Sequence, residues 1–149
     1  MKLYLVQHGE ALAKEADAER PLSARGAADV GRPAEFLRGR AAPVGILHSG
    51  KTRARQTAEI LAAALGGEVT TTGGIAPNDQ VEVWAAGLDD LAGDTMVVGH
   101  LPFMARAVSW LLTGRDEPLV AYQPGSVACL EQGEEGWILA WMLRPELFA

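Results

Sequence analysis

Each of the three histidines in this sequence, His8, His48 and His100, stands at the C-terminal end of a short apolar run. The runs are Lys2 to Val6, Val44 to His48 and Thr95 to Gly99, and each is bounded by turn residues, as in strands buried on both faces. In parallel α/β sheets, ligands bind beyond the carboxyl ends of the strands, where side chains from several loops converge. The spacing therefore gathers Gln7-His8-Gly9-Glu10, His48-Ser49 with Arg53 one helical turn on, and Gly99-His100-Leu101-Pro102 at one edge of a sheet. Three imidazoles with an open fourth position would suit zinc, but Lys51 and Arg53 would place positive charge beside a divalent cation. A phosphoryl group fits the charges better. Guanidinium forks, imidazolium and the helix N-termini after Ser49 and Leu101 all stabilise an anion. With no metal ligands beyond these and no nucleotide loop, the expected transfer is covalent. One histidine attacks phosphorus while the other donors hold the equatorial oxygens.

One octapeptide argues for a different ligand. Gly45 to Thr52, GILHSGKT, spells the G-x-x-x-x-G-K-[ST] pattern of a nucleotide-binding P-loop. A P-loop lies between strand and helix so that its backbone amides wrap a diphosphate. Here Val44, Ile46 and Leu47 are the strand itself, leaving only Ser49 and Gly50 before the helix that carries Arg53. No buried strand ends in an acidic Mg²⁺ ligand either, since the best candidate ends MVVGH. The sequence is read as having no nucleotide, no metal and no other cofactor.

The positioning elements follow from hydrophobic period. Ala54, Ala58, Leu61 and Leu65 fall on one helical face closed by Gly66-Gly67. Val81, Trp84, Leu88 and Leu91 form another after a capping Asn78-Asp79, and a further helix is expected from Ser23 as N-cap toward Arg40, kinked or split at Pro33. Leu101 to Leu112 reads as a helix with Pro102 in its first turn and Gly114 just past its end. SVACLEQGEEGWILAWML reads as two strands around a glycine-containing turn. The order β-α-β-α-β-α-β-β predicts a three-layer α/β/α sandwich with a mostly parallel central sheet.

Composition sets the outer limits. The 149 residues, 48% hydrophobic and 21% charged, suit a single domain spanning 1–149. A net charge of −6 argues against general nucleic-acid affinity, so any anion site must be local. The single cysteine, Cys129, allows no internal disulfide framework. Only four consecutive apolar residues precede Gln7, too few for a signal-peptide core, and no stretch approaches a membrane span. The expected location is the cytoplasm.

QHGEA after the first strand, RPLSARG at Arg20 to Gly26, HSGKTRARQTA at His48 to Ala58 and VGHLP at Val98 to Pro102 together resemble the histidine phosphatase superfamily. The similarity is strongest to its small SixA-type phosphohistidine phosphatases, and it extends over nearly the whole chain. It implies the phosphoglycerate mutase-like fold without a lid insertion. It also implies that His8 is the nucleophile that becomes phosphorylated, with Arg53 and His100 holding the transferring group. Gln7, Gly9, Arg20 and Ser49 are the further phosphate-binding candidates. Two positions depart from the family pattern. Gln7 stands where the family has arginine, removing a fixed cation while keeping an N–H donor, and Gly50 stands where proline is frequent.

The candidates for a general acid are Asp79 and Glu10. Larger relatives that cleave phosphate esters place a carboxylic acid beside the leaving oxygen, because an alkoxide leaves poorly. A phosphohistidine loses imidazole, whose conjugate acid has a pKa near 6.5, so acid assistance matters less. The expected function is a metal-independent phosphatase acting on phosphohistidine in a phosphorelay or phosphotransfer protein. A small phosphomonoester phosphatase is one alternative, and a phosphate- or phosphohistidine-binding module with catalysis weakened at Gln7 is another.

Overall fold

The computed structural model describes residues 1–148. Its centre is a six-stranded sheet in the order β3-β2-β4-β1-β5-β6, formed by β1 (Lys2–Gln7), β2 (Gly45–His48), β3 (Glu68–Thr71), β4 (Thr95–Gly99), β5 (Val127–Gly133) and β6 (Gly136–Leu143). The first four strands are mutually parallel, and β5 returns antiparallel to β1 before the β5–β6 hairpin closes the sheet. This is an α/β arrangement around a mostly parallel sheet, as expected from the sequence.

Four helices cover the sheet: α1 (Ala24–Leu37), α2 (Thr52–Leu65), α3 (Val81–Ala86) and α4 (Phe103–Thr113). On one face, Val30, Ala34 and Leu37 of α1 and Ala54, Ala58 and Leu61 of α2 pack on Tyr4, Val6, Ile46 and Val98. On the other, Phe103, Met104 and Val108 of α4 and Val81 of α3 pack on Leu3, Leu5 and Val97. Alternation along β1 thus divides its apolar residues between two cores, because successive strand side chains point to opposite faces. The tryptophans serve this packing. Trp84 meets Phe103 edge-on at 5.6 Å, and Trp141 lies 6.0 Å from the Tyr4 ring.

Several expectations are corrected. β3 has no counterpart among the anticipated strands, since its four residues EVTT are mostly exposed and carry no apolar run. Helix α1 runs unbroken through Pro33, which is buried on the apolar face beside Val30, Ala34 and Leu37; that burial offsets the backbone hydrogen bond proline cannot make. The helix anticipated from Val81 to Leu91 stops at Ala86, where Gly87 leads into a 3-10 turn over Leu88–Asp90. Asn78-Asp79 does not cap it. Gln80 occupies that place without a side-chain bond. Gly45 to His48 of the P-loop lookalike form β2, so only Ser49 to Lys51 separate strand from helix.

Candidate active site

His8 leaves the end of β1 and its backbone N–H donates to Gly99 O at 3.0 Å, tying it to the end of β4. Its ring Nδ1 lies 2.7 Å from Gly9 O, a carbonyl that can only accept, so Nδ1 carries the proton. That leaves the lone pair on Nε2, toward which Arg53 Nε donates at 3.4 Å. His100 comes from the end of β4, its ring centroid 4.9 Å from that of His8, and its Nε2 makes a 2.6 Å hydrogen bond with Ser49 Oγ. Four groups from three strand ends and one helix therefore face one point.

Charge and burial set the protonation of this corner. Burial pushes the pKa of His8 down to about 4, with Arg53 and Arg20 adding to the effect against the raising influence of Gly9 O. Burial also pushes His100 down to about 4, helped by His8, Arg53, Lys51 and Arg20. Both imidazoles are neutral near pH 7 in the unliganded protein, so His8 holds a free nucleophilic lone pair and His100 serves as a hydrogen-bonding group until an anion arrives. Burial and the neighbouring Arg20 lower the pKa of Arg53 as well, though a guanidinium remains charged throughout the physiological range.

Because both histidines have native pKa values below the ordinary 6.5, the unfolded chain binds more protons than the folded one between about pH 6.5 and pH 4. Stability is complete above that window and falls as the pH drops through it, by on the order of 2 kcal/mol for each histidine. Chemical denaturation from pH 7 to pH 4.5 should show this fall, reduced by about half in His100→Asn.

Thr57 is a contributor that sequence reasoning missed. It is fully buried, its Oγ1 accepts from Gly9 N at 3.0 Å and donates to Arg53 O at 2.8 Å, and so it joins the nucleophile loop to the arginine's helix. The one available signal was its place four residues after Arg53, on the same helical face. Thr57→Val keeps the shape but orphans the Gly9 amide, so it should cost about 1–3 kcal/mol of stability, measured by urea unfolding. Gly9 itself is a glycine for a packing reason: a Cβ there would lie 2.7 Å from Val30 Cγ2 and 3.0 Å from Gly26 O. A sharp turn under the ligand is not what requires it, since its φ is not in the left-handed region.

The other candidates divide. Gln7 is 8% exposed and lies on the face of Leu3 and Leu5; its Oε1 and the Nδ1 of His100 are buried without protein partners at adjacent strand ends. A half-turn of the amide presents Nε2 instead, the donor an oxyanion requires. Arg20 sits in the left-handed region at φ 47°, an uncommon conformation for a side-chain-bearing residue, with Nε bonded to Leu12 O at 3.1 Å. It lines a cleft with Arg53, Lys51 and Glu19. Ser49 does not cap α2, where Lys51 holds the cap position. His48 turns away and accepts from Gly50 N at 3.1 Å, which takes it out of the cluster. Glu10 accepts from Ser23 Oγ at 2.9 Å at the start of α1, whereas Asp79 lines a small cleft of about 150 Å³ with Ser49 and His100. Its Oδ2 closes the 76–79 turn by accepting from Ala76 N at 2.8 Å.

The family model of the histidine phosphatase superfamily (branch 1) matches residues 3–76, the span that holds His8, Arg20, Ser49, Arg53 and Thr57. Across that N-terminal span the chain matches the histidine phosphatase superfamily. Phosphatase activity is the chemistry of that superfamily and of its structural neighbours. No curated protein matches the sequence. Among solved structures, the histidine phosphatase fold here is similar to the protein histidine phosphatase SixA in complex with tungstate, at 24% identity over all of both chains with a TM-score of 0.88. A protein of Agrobacterium tumefaciens assigned to the SixA phosphohistidine phosphatases is 25% identical over 97% of each chain, with a TM-score of 0.80. The α-ribazole phosphatase of Shigella flexneri shares 16% identity over 97% of each chain, with a TM-score of 0.79. His100 lies outside the span of the family model.

Proposed function

We propose that this phosphatase removes phosphate from phosphohistidine on a protein, through a phospho-His8 intermediate and without a metal ion. In the first step the Nε2 lone pair of His8 forms a bond to phosphorus as the bond from phosphorus to the substrate imidazole breaks. The proton on Nδ1 stays on the His8 ring, and Gly9 O stabilises the cation that develops there. Arg53 and Arg20 neutralise the phosphoryl oxygens, while Ser49, His100 and the Gln7 amide supply donors. A substrate ring protonated at its other nitrogen departs as neutral imidazole. Water then attacks phospho-His8, breaking the P–N bond and releasing phosphate.

The observation that carries the substrate class is the state of the two candidate acids. Glu10 is engaged by the Ser23 hydroxyl and Asp79 by the Ala76 amide, each as a hydrogen-bond acceptor. An acid so engaged is poorly placed to protonate an alkoxide, whereas an imidazole leaving group needs no such help. The likeness to a protein histidine phosphatase supports the same reading, which treats residues 1–149 as one domain without a lid. The cleft beside His100, shared with Asp79, favours a second reading, a phosphatase for a small phosphomonoester.

A phosphotransfer protein phosphorylated on histidine with phosphoramidate separates these readings. Single-turnover release of phosphate in EDTA, faster by at least about 100-fold than from p-nitrophenyl phosphate, is the expected result. The reverse preference would replace the proposal with the phosphomonoester reading. Binding without turnover of either would make the chain a binding module.

The neutral His100 adds a thermodynamic test. A bound dianion opposes the cations that depress this imidazole, so oxyanion binding should draw a proton onto the site at pH 7. Calorimetry of tungstate binding in buffers of different ionisation enthalpy should show net proton uptake by the wild type. His100→Asn should abolish most of it.

A further inference from the structure

The chain carries 19 acidic and 13 basic side chains, and most of its arginines are neutralised where they stand. Arg55 pairs with Glu59 at 2.9 Å, as six other arginines pair with carboxylates, and Arg40 lies over the Phe36 ring. Arg20, Lys51 and Arg53 are different. Among the described residues none of them has an ion-pair partner, and all three line one cleft of about 420 Å³ at the mouth of the site. Glu19, the carboxylate in that cleft, is turned to the Thr52 hydroxyl at 3.5 Å.

Lys51 holds no phosphoryl oxygen in the chemistry proposed above, and its charge is a minor contributor to the lowered pKa of His100, after burial, His8 and Arg53. It is exposed, its ammonium makes no hydrogen bond among the described residues, and it stands where that cleft meets the smaller one lined by Ser49 and His100. Gly50 sets its direction. With φ at 92°, Gly50 holds a backbone conformation closed to proline, whose ring fixes φ near −65°, and its amide is anchored on His48. The turn that brings Lys51 to the rim therefore depends on the glycine.

We propose that Lys51 is a docking cation which recruits an acidic protein surface surrounding the phosphohistidine. The proposal rests on the phosphohistidine reading of the site. An unpaired, solvated ammonium beside a phosphoryl pocket steers negatively charged partners and speeds encounter, and it does so less as salt rises. It would also relieve a general difficulty, because a protein with net charge −6 repels an acidic partner overall, while this mouth gathers three cations without ion-pair partners among the described residues. The specificity conferred is for the protein that carries the phosphohistidine, since the phosphoryl group is already held by other residues.

Two substrates test this with wild type, Lys51→Gln and Lys51→Glu: an acidic phosphotransfer protein phosphorylated on histidine, and a short uncharged peptide bearing phosphohistidine. For the acidic protein, Lys51→Glu should raise KM about tenfold at low salt with kcat unchanged, Lys51→Gln should fall between, and the difference should shrink at physiological salt. Peptide kinetics should stay within about twofold. Equal KM values for the acidic protein in all three proteins would overturn the docking role. A matching loss on peptide and protein would overturn it too, by placing Lys51 in the phosphoryl pocket. Thermal protection by tungstate in each variant verifies that the pocket is intact. A wild type that turns over neither phosphohistidine substrate but hydrolyses p-nitrophenyl phosphate refutes the functional reading itself, an outcome distinct from a failure of Lys51 alone.

Discussion

Replacing His8 with alanine is expected to lower kcat by at least about 10⁴-fold, the scale seen when a covalent nucleophile is removed. The fold should survive, because the ring is at the rim of the sheet and its own bonds are to Gly9 O and Arg53. Rapid quenching of the wild type should trap one acid-labile, base-stable phosphoryl group per chain, located on His8 by mass spectrometry. His8→Ala should trap none while still binding tungstate. Appreciable turnover by the variant would move the nucleophile elsewhere, with His100, 4.9 Å away between ring centroids, the first alternative.

Loss of Arg53 should be nearly as severe. Arg53→Ala removes a preorganised donor and a cation, and kcat/KM should drop about 10²–10³-fold, as when other oxyanion donors are deleted. Arg53→Lys should recover little of this, since an ammonium lacks the planar fork that grips two phosphoryl oxygens. The same change carries a pH signature. Arg53 is one of the charges holding His8 down near 4, so without it the His8 pKa rises part of the way toward 6.5 and the acidic limb of the kcat/KM profile moves to higher pH. Burial remains the larger cause of the depression, so the shift is partial. An unmoved acidic limb would separate Arg53 from His8.

The readability of this fold followed the physics of its elements. Strands buried on both faces announce themselves as unbroken apolar runs, which is why β1, β2 and β4 could be read directly. β3 could not, because an exposed four-residue edge strand is held by backbone pairing to β2 and needs no apolar side chains. The break expected in α1 at Pro33 is absent for a related reason. A propensity rule counts the lost hydrogen bond but not the sheet against which the ring is packed.

For the site, sequence alone determined that His8, His48 and His100 stand at strand ends, that Arg53 begins the following helix, and that four motifs in order match one superfamily. Those are properties of local period and spacing. Tertiary structure decided which of these groups meet. His48 and Ser49 are neighbours in the chain, yet Ser49 reaches His100 while His48 folds back onto Gly50. Thr57 reaches Gly9 across 48 positions, and the tautomer of His8 follows from a carbonyl whose direction the loop sets. Strand alternation dictates which residues arrive at an edge. The direction of each side chain beyond that edge depends on loop torsions and on how α2 docks against β2 and β4, and no local pattern of residues encodes those contacts.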